Sequence, residues 1–151
     1  MGGSRVRAPA LATAGRCRPV PVARLAEAYE LPAPYLSKQL QALTRAGITE
    51  SVPGARGGVR QTRSAEKISL MDVVAAVEGT ENAFVCTEIR QQGMNAAAPA
   101  REFSQPCAIA VAMRAAELAW RRHLAATTIG DLADATPTRV SREARRYFAH
   151  A

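Results

Sequence analysis

A mainly helical fold carrying one small β-hairpin is what this sequence predicts, on three observations. Leucines recur at helical spacing through "PYLSKQLQALTRAG", a Pro/Gly-rich turn in "VPGARGGVR" separates two short extended stretches, and the amphipathic "CAIAVAMRAAELAWRRHLAA" fills residues 107–126. With 151 residues and 48% hydrophobic composition, the chain can pack one domain and an appended element. No apolar run approaches the roughly 18–20 residues that span a bilayer. The apolar part of the basic start "MGGSRVRAPALATAGRCRP" is too short and interrupted for a signal peptide. Three cysteines, an odd number, do not make a secreted disulfide framework. A cytoplasmic protein is the expectation.

Leu25, Ala26 and Tyr29 place a first helix over about residues 21–30. "LPAP" breaks it, because each proline pushes its predecessor out of the helical region. Pro34 suits the first turn of a second helix, with Leu36, Leu40 and Leu43 on one face and Gly47 as its stop. Ala33 is the expected N-cap of that helix and offers no side-chain acceptor; a serine there would add about 1 kcal/mol. Residues 48–52 and 59–63 then read as a hairpin. Ser69 opens "SLMDVVAAVEG", where Asp72 completes a capping box and Gly79 ends the helix.

Residues 80–106, with Cys86, Gly93, Pro99 and Pro106, read as irregular. In the long helix that follows, Ile109, Met113, Ala116, Trp120 and Leu124 form one stripe. A stripe of this kind beyond a small domain suits a partner helix, most simply from a second copy of the chain. The expected organisation is a helix–hairpin–helix unit over 1–79, a cysteine-bearing connection over 80–106, a dimerisation helix and short following helix over 107–135, and a basic, mobile tail over 136–151.

The formal charge of +7 is unevenly placed. Residues 1–68 carry 11 Lys/Arg and 4 Asp/Glu, whereas residues 69–151 carry nine of each. A basic half of this kind suits a polyanion, and two helices joined by a tight turn and followed by a basic hairpin make a winged helix-turn-helix. The second helix fits a major groove, while the wing can place arginines on phosphates or in the minor groove. On that helix Tyr35, Ser37, Lys38 and Gln41 are the base-contact candidates. Arg45, Arg56, Arg60 and Arg63 are the backbone-contact candidates. The competing interpretation is a winged helix that contacts protein and whose basic face only keeps it soluble. An enzyme is disfavoured: there is no P-loop, dinucleotide fingerprint or metalloprotease helix, and only two histidines.

Taken in order, "LAEAYELPAPYLSKQLQALTRAGI", the wing "VPGARGGVRQTR" and "ISLMDVVAAVEG" resemble the winged-helix transcription regulators typified by IscR, NsrR and RsrR. The resemblance runs over about residues 19–134. "FVCTEIRQQG" followed by "PCAIAVAMRAAELAWRRHLAATTIGDL" is most similar to the RsrR-like branch. The resemblance implies a homodimer joined through the helix at 107–126, binding pseudo-palindromic promoter DNA as a repressor. It also implies a 2Fe-2S cluster held by cysteines at Cys86 and Cys107, with a glutamate from the first helix and a histidine from the helix-turn-helix. Here Tyr29 stands at the histidine's position, no acidic residue precedes Glu27, and the histidines are His123 in the long helix and His150 in the tail. The glycines and proline of "MGGSRVRAPALATAGR" make it a poor copy of the family's first helix.

Three interpretations of the thiols follow. A cluster could be completed by other groups, such as Glu88 or Cys17. Cys86 and Cys107 could instead form a thiol–disulfide switch, which needs only two approachable sulfurs. They could also be inherited thiols with no sensing role. Cys17, between Arg16 and Arg18, sits where its thiolate is favoured.

Overall fold

The computed structural model describes residues 18–149. Among them it forms six α-helices: α1 (Val22–Ala28), α2 (Ala33–Arg45), α3 (Leu70–Glu78), α4 (Ala108–Ala126), α5 (Ile129–Ala135) and α6 (Thr138–Ala149). Strands β1 (Thr49–Val52) and β2 (Gly58–Gln61) make one antiparallel hairpin between α2 and α3. Mainly helical architecture with a hairpin wing is therefore what the chain adopts.

Helix α2 has a well-defined stop. The Ile48 amide donates to the Leu43 carbonyl at 3.0 Å and the Gly47 amide to Thr44 at 3.0 Å. This is the paired closure of a Schellman turn, and it needs the left-handed φ of +68° at Gly47. At the other end the N-cap is Pro32, one residue earlier than expected, since Ala33 already has helical geometry and Pro32 stays extended at ψ 124°. Neither residue supplies a side-chain cap, so the Leu36 amide meets only the Pro32 carbonyl, at 3.1 Å.

The hairpin pairs Glu50 with Arg60 and Ser51 with Val59. On the outer side of β2, Val20 and Val59 exchange both backbone hydrogen bonds, at 2.9 and 2.8 Å, so the chain entering α1 extends the sheet by one bridge. A side chain at Gly58 would collide with the Val20 carbonyl, and its φ of +151° disfavours one in any case. The second glycine of "GG" is thus a condition for that bridge.

The core is small: Ala26 of α1, Ala42 of α2, Ile48, Val59 of β2 and Ile68, of which Ile68 is wholly enclosed. Helix α2 packs on α1, β1 and α3, and α3 packs in turn on α4. Around Ile68 two capping boxes stand side by side. Ser69 and Asp72 cap α3, and Thr128 and Asp131 cap α5, each by a reciprocal exchange of side-chain and backbone hydrogen bonds. Between them Leu70 donates to Thr127 and Ile129 to Ile68, both at 2.9 Å. This bridge ties the far end of α4 to the winged half. Gly130 is buried against Glu66, in the short turn Ala65–Lys67.

One expectation is corrected. Residues 138–149, expected within a mobile tail, form α6, with Ser141, Ala144, Tyr147 and Phe148 half-buried. Their apolar spacing outweighs the basic composition on which the expectation rested. In α4 the least exposed positions are Ala110, Glu117, Arg121 and Leu124, so of the expected stripe only Leu124 turns inward. Ile109, Met113, Ala116 and Trp120 stay exposed, Ile109 at 63%. The apolar face is thus open in the single chain, while Glu117 and Arg121 pair on the inward face.

Candidate nucleic-acid interface and sensor segment

Helix α2 and the hairpin present most of the expected contact residues on an open surface. Tyr35, Lys38, Gln41 and Arg45 are exposed, and Ser37 is half-buried. Ser37, Gln41 and Arg45 share a cleft with Ser51 and Val59 of the hairpin, and Thr44 and Thr49 are hydrogen-bonded at 3.0 Å beneath it. Three of the α2 candidates, Ser37, Gln41 and Arg45, therefore line a groove whose other wall is the hairpin. Arg56 is exposed at the wing tip. Arg60 is engaged instead: its Nε donates to Glu50 Oε1 at 2.6 Å, across the strands. Arg63 lies in a separate depression with Asp72, Ala75 and Thr80, where its charge helps hold the Asp72 carboxyl below its ordinary pKa after the Ser69 amide and hydroxyl. The eight candidates thus divide into a group on α2 and the wing tip, and two arginines already facing carboxylates.

The connection from α3 to α4 starts from a firm anchor. Glu117 of α4, 8% exposed, takes the Ala83 amide at 3.3 Å and the Arg121 Nε at 2.9 Å. Arg121 then donates to the carbonyls of Glu81 at 2.7 Å and Thr80 at 3.4 Å. Beyond Ala83 the chain runs through three short 3-10 turns, Ile89–Gln91, Gly93–Asn95 and Ala100–Phe103.

Both thiols belong to this stretch and both are free, Cys86 exposed and Cys107 half-buried. Between them sits a residue the sequence did not single out. Arg90 grips Glu88 with two hydrogen bonds, at 2.5 and 2.9 Å, donates to the Gln105 carbonyl at 3.0 Å and lies 5.6 Å from the Phe103 ring centroid. Glu88 itself has a left-handed φ of 53°, uncommon for a glutamate, and its amide donates to Cys86 Sγ at 3.4 Å. Cys107 is the N-cap residue of α4. Without closing a full capping hydrogen bond, its thiol faces the Ala110 and Ile109 amides, which pull its pKa below the ordinary value, with the Arg90 charge adding to them. The signal for Arg90 was present in "CTEIR", where a charge of each sign flanks Ile89, but loop spacing does not reveal which atoms it will grip.

A helix open to solvent beside a basic-tipped wing, joined to a long second helix, defines a winged-helix DNA-binding regulator. The chain belongs to the Rrf2 family, whose model, described as an iron-dependent transcriptional regulator, matches residues 9–135. It is similar to protein aau3 of Rhizobium meliloti, 38% identical over 120 residues, covering 77% of this chain and 71% of that one. It is also 38% identical to the transcriptional regulator IscR of Cereibacter sphaeroides over 64 residues, 42% of this chain and 41% of that one. Among solved structures, CymR, the global cysteine regulator of B. subtilis, shares the fold with a TM-score of 0.58 at 23% identity over 79% of this chain and 81% of that one. The oxidized form of Staphylococcus aureus CymR superposes with a TM-score of 0.52 at 28% identity over 79% of this chain and 80% of that one. The family is one of transcription regulators, not enzymes.

The family description raises the question of iron. A two-iron, two-sulfide cluster takes four protein ligands. Among the described residues no group of three or more His, Cys, Asp and Glu side chains could hold a metal. Glu88 is occupied by Arg90, Glu27 is paired with Arg24 at 3.3 Å, Tyr29 ends α1 exposed, and His123 is exposed on α4. Cys17 and His150 lie outside the described residues. Two thiolates beside an arginine do not by themselves fit a cluster, and no step is derived through one.

Proposed function

We propose that this protein is a homodimeric transcription regulator that reads promoter DNA with α2 and the wing, and whose DNA affinity follows the redox state of Cys86 and Cys107. The observation that carries the DNA-reading part is the exposed row Tyr35, Lys38, Gln41 and Arg45 beside a wing tipped by Arg56. The uncovered Ile109, Met113 and Trp120 on α4 support a second copy as partner, since burying such a face is the main driving force available to a helix of this length.

Thiol chemistry is what the connection's own residues support. The Cys107 thiolate can attack a hydroperoxide; the S–O bond forms as O–O breaks, and the released oxygen takes a proton to leave as water or alcohol. The Cys86 thiol then attacks the sulfenic sulfur, the S–S bond forms, and hydroxide leaves as water with the thiol's proton. Arg90, beside Cys107, adds to the Ala110 and Ile109 amides in favouring the Cys107 thiolate that starts the sequence. The resulting crosslink would pull on residues that start α4 at one end and follow the Glu117 anchor at the other. That is how sulfur oxidation reaches both the dimer helix and the winged half.

A cluster-bound form is the second reading, favoured by the family's description as iron-dependent. It requires donors beyond the described residues, with Cys17 the sulfur available in the sequence. Visible charge-transfer absorption after anaerobic reconstitution, lost in Cys86→Ala, would support it; a colourless, iron-free protein would remove it.

The DNA-reading part is tested by selecting a duplex from random sequence with the full chain and measuring its affinity at fixed salt. Lys38→Ala and Arg56→Ala are expected to weaken binding, Lys38→Ala by about 1–3 kcal/mol if it reads a base. Unchanged affinity in both variants would leave the winged helix as a protein-contact module.

A further inference from the structure

Helix α6 lies beyond the residues that the family model matches, and it is docked onto the winged half by its carboxyl end. Arg24 of α1 donates to the Tyr147 carbonyl at 3.2 Å and stacks over the Tyr147 ring at 4.3 Å from its centroid. Arg18, just before α1, donates to the Ala149 carbonyl at 3.2 Å. Two guanidinium groups thus cap a helix C-terminus whose carbonyls carry partial negative charge. The elements they come from are those of the reading surface: α1 packs on α2, and Val20, between Arg18 and Arg24, pairs with Val59 in the wing.

The two faces of α6 differ in kind. Ser141, Ala144, Tyr147 and Phe148 turn inward, whereas Arg139, Arg142, Arg145 and Arg146 are exposed. Arg139 is paired with Glu143 at 3.0 Å. Arg142, Arg145 and Arg146 make no ion pair among the described residues. Glu143 is the lone acidic residue of the helix. A solvated helix face ordinarily mixes both signs and gains from i,i+4 pairs. Three unpaired arginines fixed to the edge of a domain already carrying the chain's excess charge instead raise self-repulsion, unless a polyanion covers them. Arginine's planar fork also matches phosphate oxygens two at a time.

We infer that the outer face of α6, through Arg142, Arg145 and Arg146, is a second DNA-contact surface that grips backbone phosphates flanking the segment read by α2 and the wing. It adds sequence-independent affinity and reach along the duplex, and no base recognition. This inference rests on the winged helix being the DNA reader, and the test separates the two.

The probe is a selected duplex extended by ten base pairs on each side, alongside a duplex trimmed to the selected core and an unrelated duplex of equal length. Binding is measured across a salt series with the wild-type chain, the triple variant Arg142→Ala, Arg145→Ala, Arg146→Ala, and the matching triple lysine variant. On the extended duplex the alanine variant should lose roughly 2–3 units of the log affinity against log salt slope, at about 0.9 per phosphate contact. Its preference for selected over unrelated sequence should be unchanged, and the lysine variant should keep most of the slope. On the trimmed duplex the wild type and alanine variant should agree. Equal slopes on the extended duplex for wild type and alanine variant, with unchanged far-ultraviolet dichroism and melting temperature, would overturn the inference. A lost sequence preference in the alanine variant would also overturn it. Failure of Lys38→Ala to weaken any duplex would strike the reading beneath it instead.

Discussion

The winged half and the connection after it hold their shape by different means. From Val20 to Glu78 the chain is fixed by a paired hairpin, a closed helix stop, a reciprocal cap and an enclosed Ile68. From Phe84 to Pro106 exposed and half-buried residues are joined by three short turns, with one arginine and one glutamate gripping each other at the centre. The lesson is a division of labour. The proposed DNA-reading role asks for Lys38, Gln41 and Arg45 at fixed spacing, whereas the proposed sensing role asks for two arrangements close in free energy. Contacts among exposed and half-buried groups are concentrated in the second region, and the Glu117–Arg121 anchor marks where the first hands over to it.

Truncating the enclosed residue of the firm region should have the largest effect. Ile68→Ala is expected to lose about 2–5 kcal/mol in urea unfolding, because the cavity lies between two caps and a backbone bridge that cannot collapse into it. Next comes the anchor itself. Glu117→Gln keeps the shape but halves the acceptor capacity, and a loss of about 1–3 kcal/mol is expected, with faster amide exchange at residues 80–83 while the hairpin amides stay protected. Ser69→Ala should cost about 1 kcal/mol by removing the acceptor of the Asp72 amide. Asp72, whose pKa the cap lowers, supports folding above its unfolded-state pKa, and this support is lost as pH falls through the folded value. The Ser69→Ala deficit should therefore shrink in acid.

The smallest stability change belongs to the cysteine-bearing connection. Arg90→Gln is expected to leave unfolding within about 0.5 kcal/mol of wild type. It should nevertheless shift the pH profile of Cys107 alkylation upward, since one of the charges favouring the thiolate is removed while the Ala110 and Ile109 amides remain. A large stability loss in this variant would erase the contrast between the two regions.

The legible parts of the sequence were those governed by local rules. Leucine spacing in α2, Gly47 as its stop, the Ser69–Asp72 box and the Pro/Gly-rich wing tip each depend on residues within one turn of each other. The parts that were not legible depend on distant partners. Arg60, a phosphate-contact candidate, pairs with Glu50, ten residues away across the strand pair, a partner that no local rule names. Tyr147 and Arg24 meet from opposite ends of the chain, which is why α6 was not foreseen from its basic composition. In the candidate site both cysteines were visible from sequence, but the arginine that faces them was not. Its role is set by the turn that brings Glu88, Phe103 and Gln105 to one guanidinium.

Operator affinity in two oxidation states tests the central claim most directly. The full chain, with its iron content determined, is titrated onto a selected duplex fully reduced and again after stoichiometric hydroperoxide, alongside Cys86→Ser and Cys107→Ser. A Cys86–Cys107 crosslink by peptide mapping is expected, with a change in affinity of about tenfold or more in the wild type, reversed by reductant and absent from both serine variants. Equal affinity in the two states, with the crosslink formed, would contradict it.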